Sequence, residues 1–182
     1  QHEISGEQIQ ITRSGRRDRV AGYWHKGKGT PLLVVNPKGL AAGKQSAALQ
    51  AAVAMGRPAM AIEAFQTGDA IAVRDRSHRY FLTFNKSDDA NRVQDILSAL
   101  AFLRSQGHTK VELKGTGIAG IWALFAGAVA PGELVLDADT KGFSGTDDDF
   151  LERFFVPVIQ RAGGLDAAMR ITAKARSLHA NP

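Results

Sequence analysis

Apolar and polar positions change period several times along the 182 residues, and each change marks an element. In "EQIQITR" Ile9 and Ile11 alternate with polar residues, "SGRRD" has turn chemistry, and "RVAGYWHK" is a second strand-like run. Together they predict a β-hairpin. "PLLVVN" and "AMAIEAF" are continuous apolar runs of strand length, the pattern of strands covered on both faces in a parallel sheet. Between them, residues from about Ala41 to Met55 form an alanine-rich helical stretch closed by Gly56 and Pro58.

The strongest helical pattern is "SDDANRVQDILSALAFLRSQG". Ser87 is placed to cap it, Asp88 and Asp89 favour the positive helix start, and Gly107 closes it. Val93, Ile96, Leu97, Leu100 and Leu103 recur every three or four residues as one stripe. Then follow strand "KVELKG", helix "IAGIWALFAGAVA" and strand "ELVLDAD". After an acidic loop come an amphipathic helix through Phe150, Phe154 and Val158, a short helix from Asp166, and a final strand-like run in "ARSLHANP". The long segment from Gln66 to Phe84, with "DAIAVRDRSHR" at its centre, has no regular pattern, and connections of that length are usually functional or mobile. The sum is a hairpin followed by about five parallel strands with helices between them, a three-layer α/β arrangement read as a single domain over residues 1–182.

Composition narrows the chemistry. Hydrophobic content of 44% and charged content of 23% are globular values. No apolar run approaches the roughly 20 residues of a membrane span. The net charge of +5 is spread along the chain, apart from Arg13, Arg16, Arg17 and Arg19 near the hairpin turn, so neither nucleic acid nor membrane is an expected partner. The absence of cysteine removes disulfides, thiolate metal sites and cysteine nucleophiles. The chain starts at Gln1, and the expectation is that something was removed by processing, as in a secreted or periplasmic protein. The five histidines, His2, His25, His78, His108 and His179, show no metal-ligand spacing, and no metal or cofactor is expected. His78, near Arg74, Arg76 and Arg79, is a candidate for contacting an anion.

The most informative stretch is "KGTGIAG". A nucleophile elbow carries a strand directly into a helix through a turn whose central residue has strained backbone angles, with small residues on either side. Gly115 lies two before the centre, Gly117 at the centre, Ala119 two after it, and Gly120 in the first helical turn. The pattern G-x-S-x-G becomes G-T-G-I-A.

From "DRVAGYW" onward the chain resembles the α/β-hydrolase superfamily, in particular its acetyl-xylan-esterase-like and dienelactone-hydrolase-like branch. The likeness is densest over "VQDILSALAFLRSQG-HTKVELKGTGIAGIWALFAGAVAP", and "FVPVIQRAGGLDAAMRITAKARSLHANP" is similar to the segment that leads to the family's catalytic acid. The resemblance implies a hydrolase-like sheet, here lacking its last strand, and an oxyanion loop at "VVNPKGL". In that loop Pro37 has no N–H, while Lys38 and Gly39 retain theirs. Glycine cannot attack a carbonyl, so the nucleophile is missing. His179 falls inside the last strand-like run and does not map onto the family's histidine.

The expectation is therefore a catalytically degenerate hydrolase-like domain, read as a fragment of a larger carbohydrate-related protein and serving a structural, interaction or ligand-binding role. Its partners would be a small ligand or carbohydrate, or other domains of a larger chain. The candidate crevice comprises Asn36, Lys38, Gly39, Gly115, Thr116, Gly117, Ile118, Asp137 and Asp139. Two alternatives stay open. One is an active esterase with relocated or partner-supplied groups, for which Thr116 and Ser144 are the available hydroxyls. The other is a nucleotide-binding module, because Gly115, Gly117 and Gly120 also fit G-x-G-x-x-G and Asp137 follows Gly117 by 20 positions.

Overall fold

The computed structural model describes residues 1–16, 18–175 and 177–178; Arg17 and His179 lie outside the described residues. The strands are β1 (His2–Ser5), β2 (Gln8–Thr12), β3 (Arg19–His25), β4 (Leu32–Val35), β5 (Ala59–Ile62), β6 (Lys110–Gly115), β7 (Glu133–Ala138) and β8 (Ser177–Leu178). They form one sheet in the order β1-β2-β3-β5-β4-β6-β7-β8. The expected hairpin is β2–β3, and β4 to β8 are the expected parallel strands. β1, an addition to the expected set, pairs antiparallel with β2, and all four of its residues are exposed. An exposed edge strand with one apolar residue, Ile4, leaves no hydrophobic period to read.

The helices are α1 (Leu40–Lys44), α2 (Ala47–Ala54), α3 (Phe81–Phe84), α4 (Asp88–Ser105), α5 (Ile118–Val129) and α6 (Gly164–Ala175). The alanine-rich stretch is two helices, because the Ser46 hydroxyl donates to Gly43 O and accepts from Leu49 N–H, ending one helix and capping the next. Ser87 caps α4 as expected, accepting the Ala90 N–H at 3.3 Å. The expected helix through Phe150, Phe154 and Val158 is instead a single wide turn, Asp149–Arg153, followed by irregular chain. Pro157 disfavours helical angles at the residue before it, and Val158 sits at φ 69°. α6 starts two residues ahead of Asp166.

The apolar runs divide by parity. Leu32, Val34, Ala59 and Ala61 pack with Tyr23 against Leu49 and Ala52 of α2. Leu33, Val35, Met60 and Ile62 face the opposite core, with Ile96, Leu100 and Leu103 of α4 and Ile121, Leu124 and Phe125 of α5. β4 therefore has helices on both faces. From β4 the chain steps through α1 and α2 to β5 on one side, then returns through α4 to β6 on the other. That reversal puts the two helical layers on opposite faces and makes the carboxyl ends of β4 and β6 a topological switch point. Beyond the α1–α2 layer, the second face of β6 and β7 is polar. Lys110 pairs with Glu133 at 2.7 Å, Glu112 with Arg57 at 2.6 Å, and Lys114 with Asp137.

Two buried carboxylates of α4 tie distant segments together. Asp89 Oδ1 accepts from Trp122 Nε1 and from Arg92, both at 2.9 Å, and Oδ2 accepts the Phe155 N–H at 2.8 Å. The Arg92 guanidinium also lies over the Trp122 ring. Asp95 accepts the Phe65 N–H at 2.8 Å. Burial raises the Asp95 carboxyl from its ordinary 3.8 to about 7, helped by the charge of Asp18 and opposed by the Phe65 hydrogen bond, Arg13 and Lys86.

Asp89→Ala would leave the buried Trp122 Nε1 and two partly buried donors, Arg92 and the Phe155 N–H, without this acceptor, and a loss of about 2–4 kcal/mol is expected in urea unfolding, with Asp89→Asn losing less. The folded state holds the Asp95 proton more tightly than the unfolded chain does. The stability from that group is thus fully present below its ordinary 3.8 and lost as pH rises through about 7. Denaturation midpoints between these limits should fall with rising pH, and Asp95→Asn should flatten that slope.

Candidate functional site

The elbow is built. β6 ends at Gly115 and α5 begins at Ile118, so the chain reverses across Thr116 and Gly117. Gly117 takes φ 54° and ψ −139°, a conformation that side chains of L-residues disfavour, and it is exposed at the turn's apex. A Cβ there would meet only Pro37 Cγ, at 3.7 Å, so backbone strain is the main obstacle to a side chain. At Gly120 the obstacle is space. A Cβ would lie 2.0 Å from Asp139 O and 2.5 Å from Asp139 N, because the first turn of α5 rests directly on the end of β7.

The amides of this turn are engaged within the chain. Gly117 N–H donates to Asp139 Oδ2 at 3.0 Å, Ala119 N–H to Thr116 O at 3.1 Å, and Gly120 N–H to Gly117 O at 2.9 Å. Asp139 Oδ1 also accepts the Lys141 N–H, and Asp139 N–H donates to Gly115 O. The Asp139 carboxylate thus stands where a phosphate would have to approach the helix start, and a pyrophosphate there would face like charge. The Ile118 N–H makes no hydrogen bond to any described residue. Thr116 Oγ1 is buried without a partner, turned away from the open side of the turn.

The loop after β4 faces the elbow through Pro37. Its two expected donors are occupied: Lys38 N–H donates to Asn36 Oδ1 at 2.9 Å and Gly39 N–H to Asn36 O at 3.0 Å. Asn36 therefore closes the loop on itself. Under it lies Glu63, a buried carboxylate at the end of β5 that accepts from Leu40 N–H at 3.2 Å and from Thr67 Oγ1 at 2.7 Å. Sequence reasoning passed over Glu63, although one acid in "AMAIEAF", a run covered on both faces, is the signal that would have found it.

Of the candidate residues, the structure brings Asn36, Lys38, Gly39, Gly115, Thr116, Gly117, Ile118 and Asp139 to the carboxyl ends of β4, β6 and β7. Asp137 is separated from them, paired with Lys114 on the polar face of the sheet. Ser144 lies in the loop after β7, its N–H held by Asp149. That carboxylate also accepts from Gly145 and Thr146, so the acidic run anchors a turn. Among the described residues no histidine is bonded to an elbow group: His25 meets Glu7, and His78 Nδ1 accepts the Tyr80 N–H. No group of three or more histidine, aspartate or glutamate side chains placed to hold a metal occurs among the described residues.

No family model matches the chain, and no curated protein does. Similar solved structures include a putative hydrolase from Agrobacterium vitis S4, at 14% identity and TM-score 0.48, covering 75% of this chain and 52% of that one. Another is Est1E from Butyrivibrio proteoclasticus with ferulic acid bound, at 11% identity and TM-score 0.49, covering 69% and 50%. A third is α/β hydrolase domain-containing protein 10 from mouse, at 16% identity and TM-score 0.46, covering 70% and 48%. The chain spans about half the length of these structures.

The two glycines of the elbow separate strain from collision. Gly117→Ala should fold and lose on the order of 1 kcal/mol, the cost of a side chain at positive φ. Gly120→Ala drives a methyl into the β7 backbone and should lose several-fold more, or fail to fold. Thermal unfolding of both variants checks the order; equal losses would mean that α5 does not sit against Asp139.

Proposed function

We propose that this chain is a non-catalytic domain of hydrolase-like architecture, related to acetyl-xylan-esterase-like and dienelactone-hydrolase-like proteins and retained for ligand binding. The observation that carries this reading is Gly117: the apex residue keeps elbow backbone angles, has no side chain to attack an acyl group, and gives its N–H to Asp139. Stabilising an acyl transition state needs donors aimed at the developing oxyanion. Lys38 and Gly39 direct theirs at Asn36, which leaves the Ile118 N–H as the backbone donor at the apex without an acceptor among the described residues.

A crevice at the carboxyl ends of the strands, at the point where strand order reverses, is where sheets of this kind hold small molecules. With the chemistry removed, that position is left with binding: a backbone donor at Ile118 and the closed Asn36–Gly39 loop opposite. A small ligand or carbohydrate is the partner this reading favours. The esterase alternative would have to draw on hydroxyls that are poorly placed, since Thr116 Oγ1 is buried and Ser144 is on a loop held by Asp149. The nucleotide alternative meets a carboxylate at the helix start.

Incubation with 4-nitrophenyl acetate should give hydrolysis no faster than buffer, and a serine-directed fluorophosphonate should leave the folded chain unlabelled. Gly117→Ser should remain silent in both assays, because a hydroxyl without a base is a weak nucleophile. Turnover well above buffer that disappears in Thr116→Val or Ser144→Ala would overturn the reading.

A further inference from the structure

A cavity of about 680 Å³, open to solvent on one side, lies away from the elbow, between the segment 76–82, the start of α4 at 87–92, and residues 151–155. That volume falls within the ~300–1,000 Å³ of sites for small organic molecules. Its position is set by topology. The segment 76–82 follows β5, residues 151–155 follow β7, and α4 starts on the same side, so all three stand over the carboxyl edge of the sheet, the edge that takes ligands.

Its walls combine two chemistries. Phe81, Leu82, Leu151 and Phe155 supply an apolar lining, and Leu82 and Leu151 are exposed, 44% and 63%, with no internal packing to account for them. Arginines supply the other. Arg92 is matched by Asp89, and Arg153 by Asp149. Arg74 and Arg76 share one carboxylate, Asp88. Arg79 has no carboxylate partner among the described residues and lies over the Tyr80 ring at 4.4 Å. Beside it, His78 uses Nδ1 to accept the Tyr80 N–H, which leaves Nε2 free to donate. Glu152, the acid of this wall without a cation, is exposed.

We infer that this cavity binds a small organic carboxylate: an apolar body lying against Leu82, Leu151 and Phe155, with a single negative charge taken by Arg79 and shared with Arg76 and His78. A guanidinium presents paired N–H donors that match a carboxylate, and it is strongest where the surroundings are partly apolar. Arg79 without a carboxylate, and Arg74 with Arg76 on the single Asp88 carboxylate, leave two surplus positive charges, of which the exposed Glu152 offsets one; the remaining charge calls for a monoanion, which favours a carboxylate over a doubly charged phosphate ester. The inference rests on the non-catalytic binding reading and extends it to a cavity that no elbow residue lines.

Titration calorimetry on the full chain tests this with four probes: 4-phenylbutyrate, 4-phenylbutan-1-ol, 4-phenylbutylamine and inorganic phosphate. The acid should bind one to one, and the alcohol, amine and phosphate should bind at least about tenfold more weakly, the loss of one charge-assisted contact or of the apolar body. Arg79→Gln and Leu151→Asp change exposed side chains, should keep the thermal midpoint, and should each weaken the acid by a similar factor. Equal affinity for acid and alcohol, an unchanged Kd in Arg79→Gln, or no saturable heat from the acid would overturn the inference. So would capture by phosphatidylglycerol vesicles without a response to 4-phenylbutyrate. Hydrolysis of the 4-nitrophenyl ester of the same acid would instead overturn the non-catalytic reading alone, since the carboxylate titration decides the cavity independently.

Discussion

The passage of β6 into α5 through two residues is the constraint on which the rest of the structure depends. So short a reversal forces Gly117 to a positive φ and lays the first turn of α5 against the end of β7, where only a glycine fits at position 120. The same closeness brings the Asp139 carboxylate to the Gly117 N–H, satisfying a donor that the helix start leaves over. From that joint α5 is aimed across the sheet, and its buried face meets α4 in the larger of the two cores. The turn is a packing joint between β6, α5 and the end of β7.

The carboxyl edge is held by carboxylates that work as fasteners. Asp89 joins α4 to the indole of α5 and to the backbone at Phe155; Glu63 holds the start of α1 and Thr67; Asp149 gathers the amides of the loop after β7. The aromatic cluster of Phe125, Phe143, Phe150 and Phe154, with Phe125 and Phe154 stacked at 4.5 Å, seats that loop on α5. The long segment after β5 makes its anchoring contacts through Arg74, which bonds Asp88 and lies over Phe65 and Phe81, while Ile71, Val73 and Phe84 stay exposed. With Asp88, Asp89 and Asp149 committed, Arg79 has no carboxylate partner among the described residues beside the cavity.

Much of this was legible in the chain. The elbow could be read because its requirement is local: small residues at fixed offsets between a strand pattern and a helix pattern. The parallel strands could be read because an apolar run covered on both faces looks the same wherever its partners are. The helix at 88–105 declared itself through Ser87 and its stripe. The helix expected over Phe150 to Val158 failed because apolar spacing outweighed Pro157 in the reading, whereas in the folded chain the proline and the aromatic cluster decide the path.

The sequence by itself determined what lies within a few residues: which runs become strands or helices, where a turn must be glycine, and that Gly117 can do no nucleophilic chemistry. Only the tertiary structure decided what the charged side chains are for. Asp139 reaches across 22 positions to Gly117, Glu63 across 23 to Leu40, and Asp89 across 33 to Trp122 and 66 to Phe155. Asp137, whose spacing looked equally suggestive, is spent on Lys114 in the neighbouring strand. The physical reason is one of range: backbone propensity and periodicity act along the chain, while a carboxylate's role depends on which donors the packed sheet carries to within about 3 Å of it.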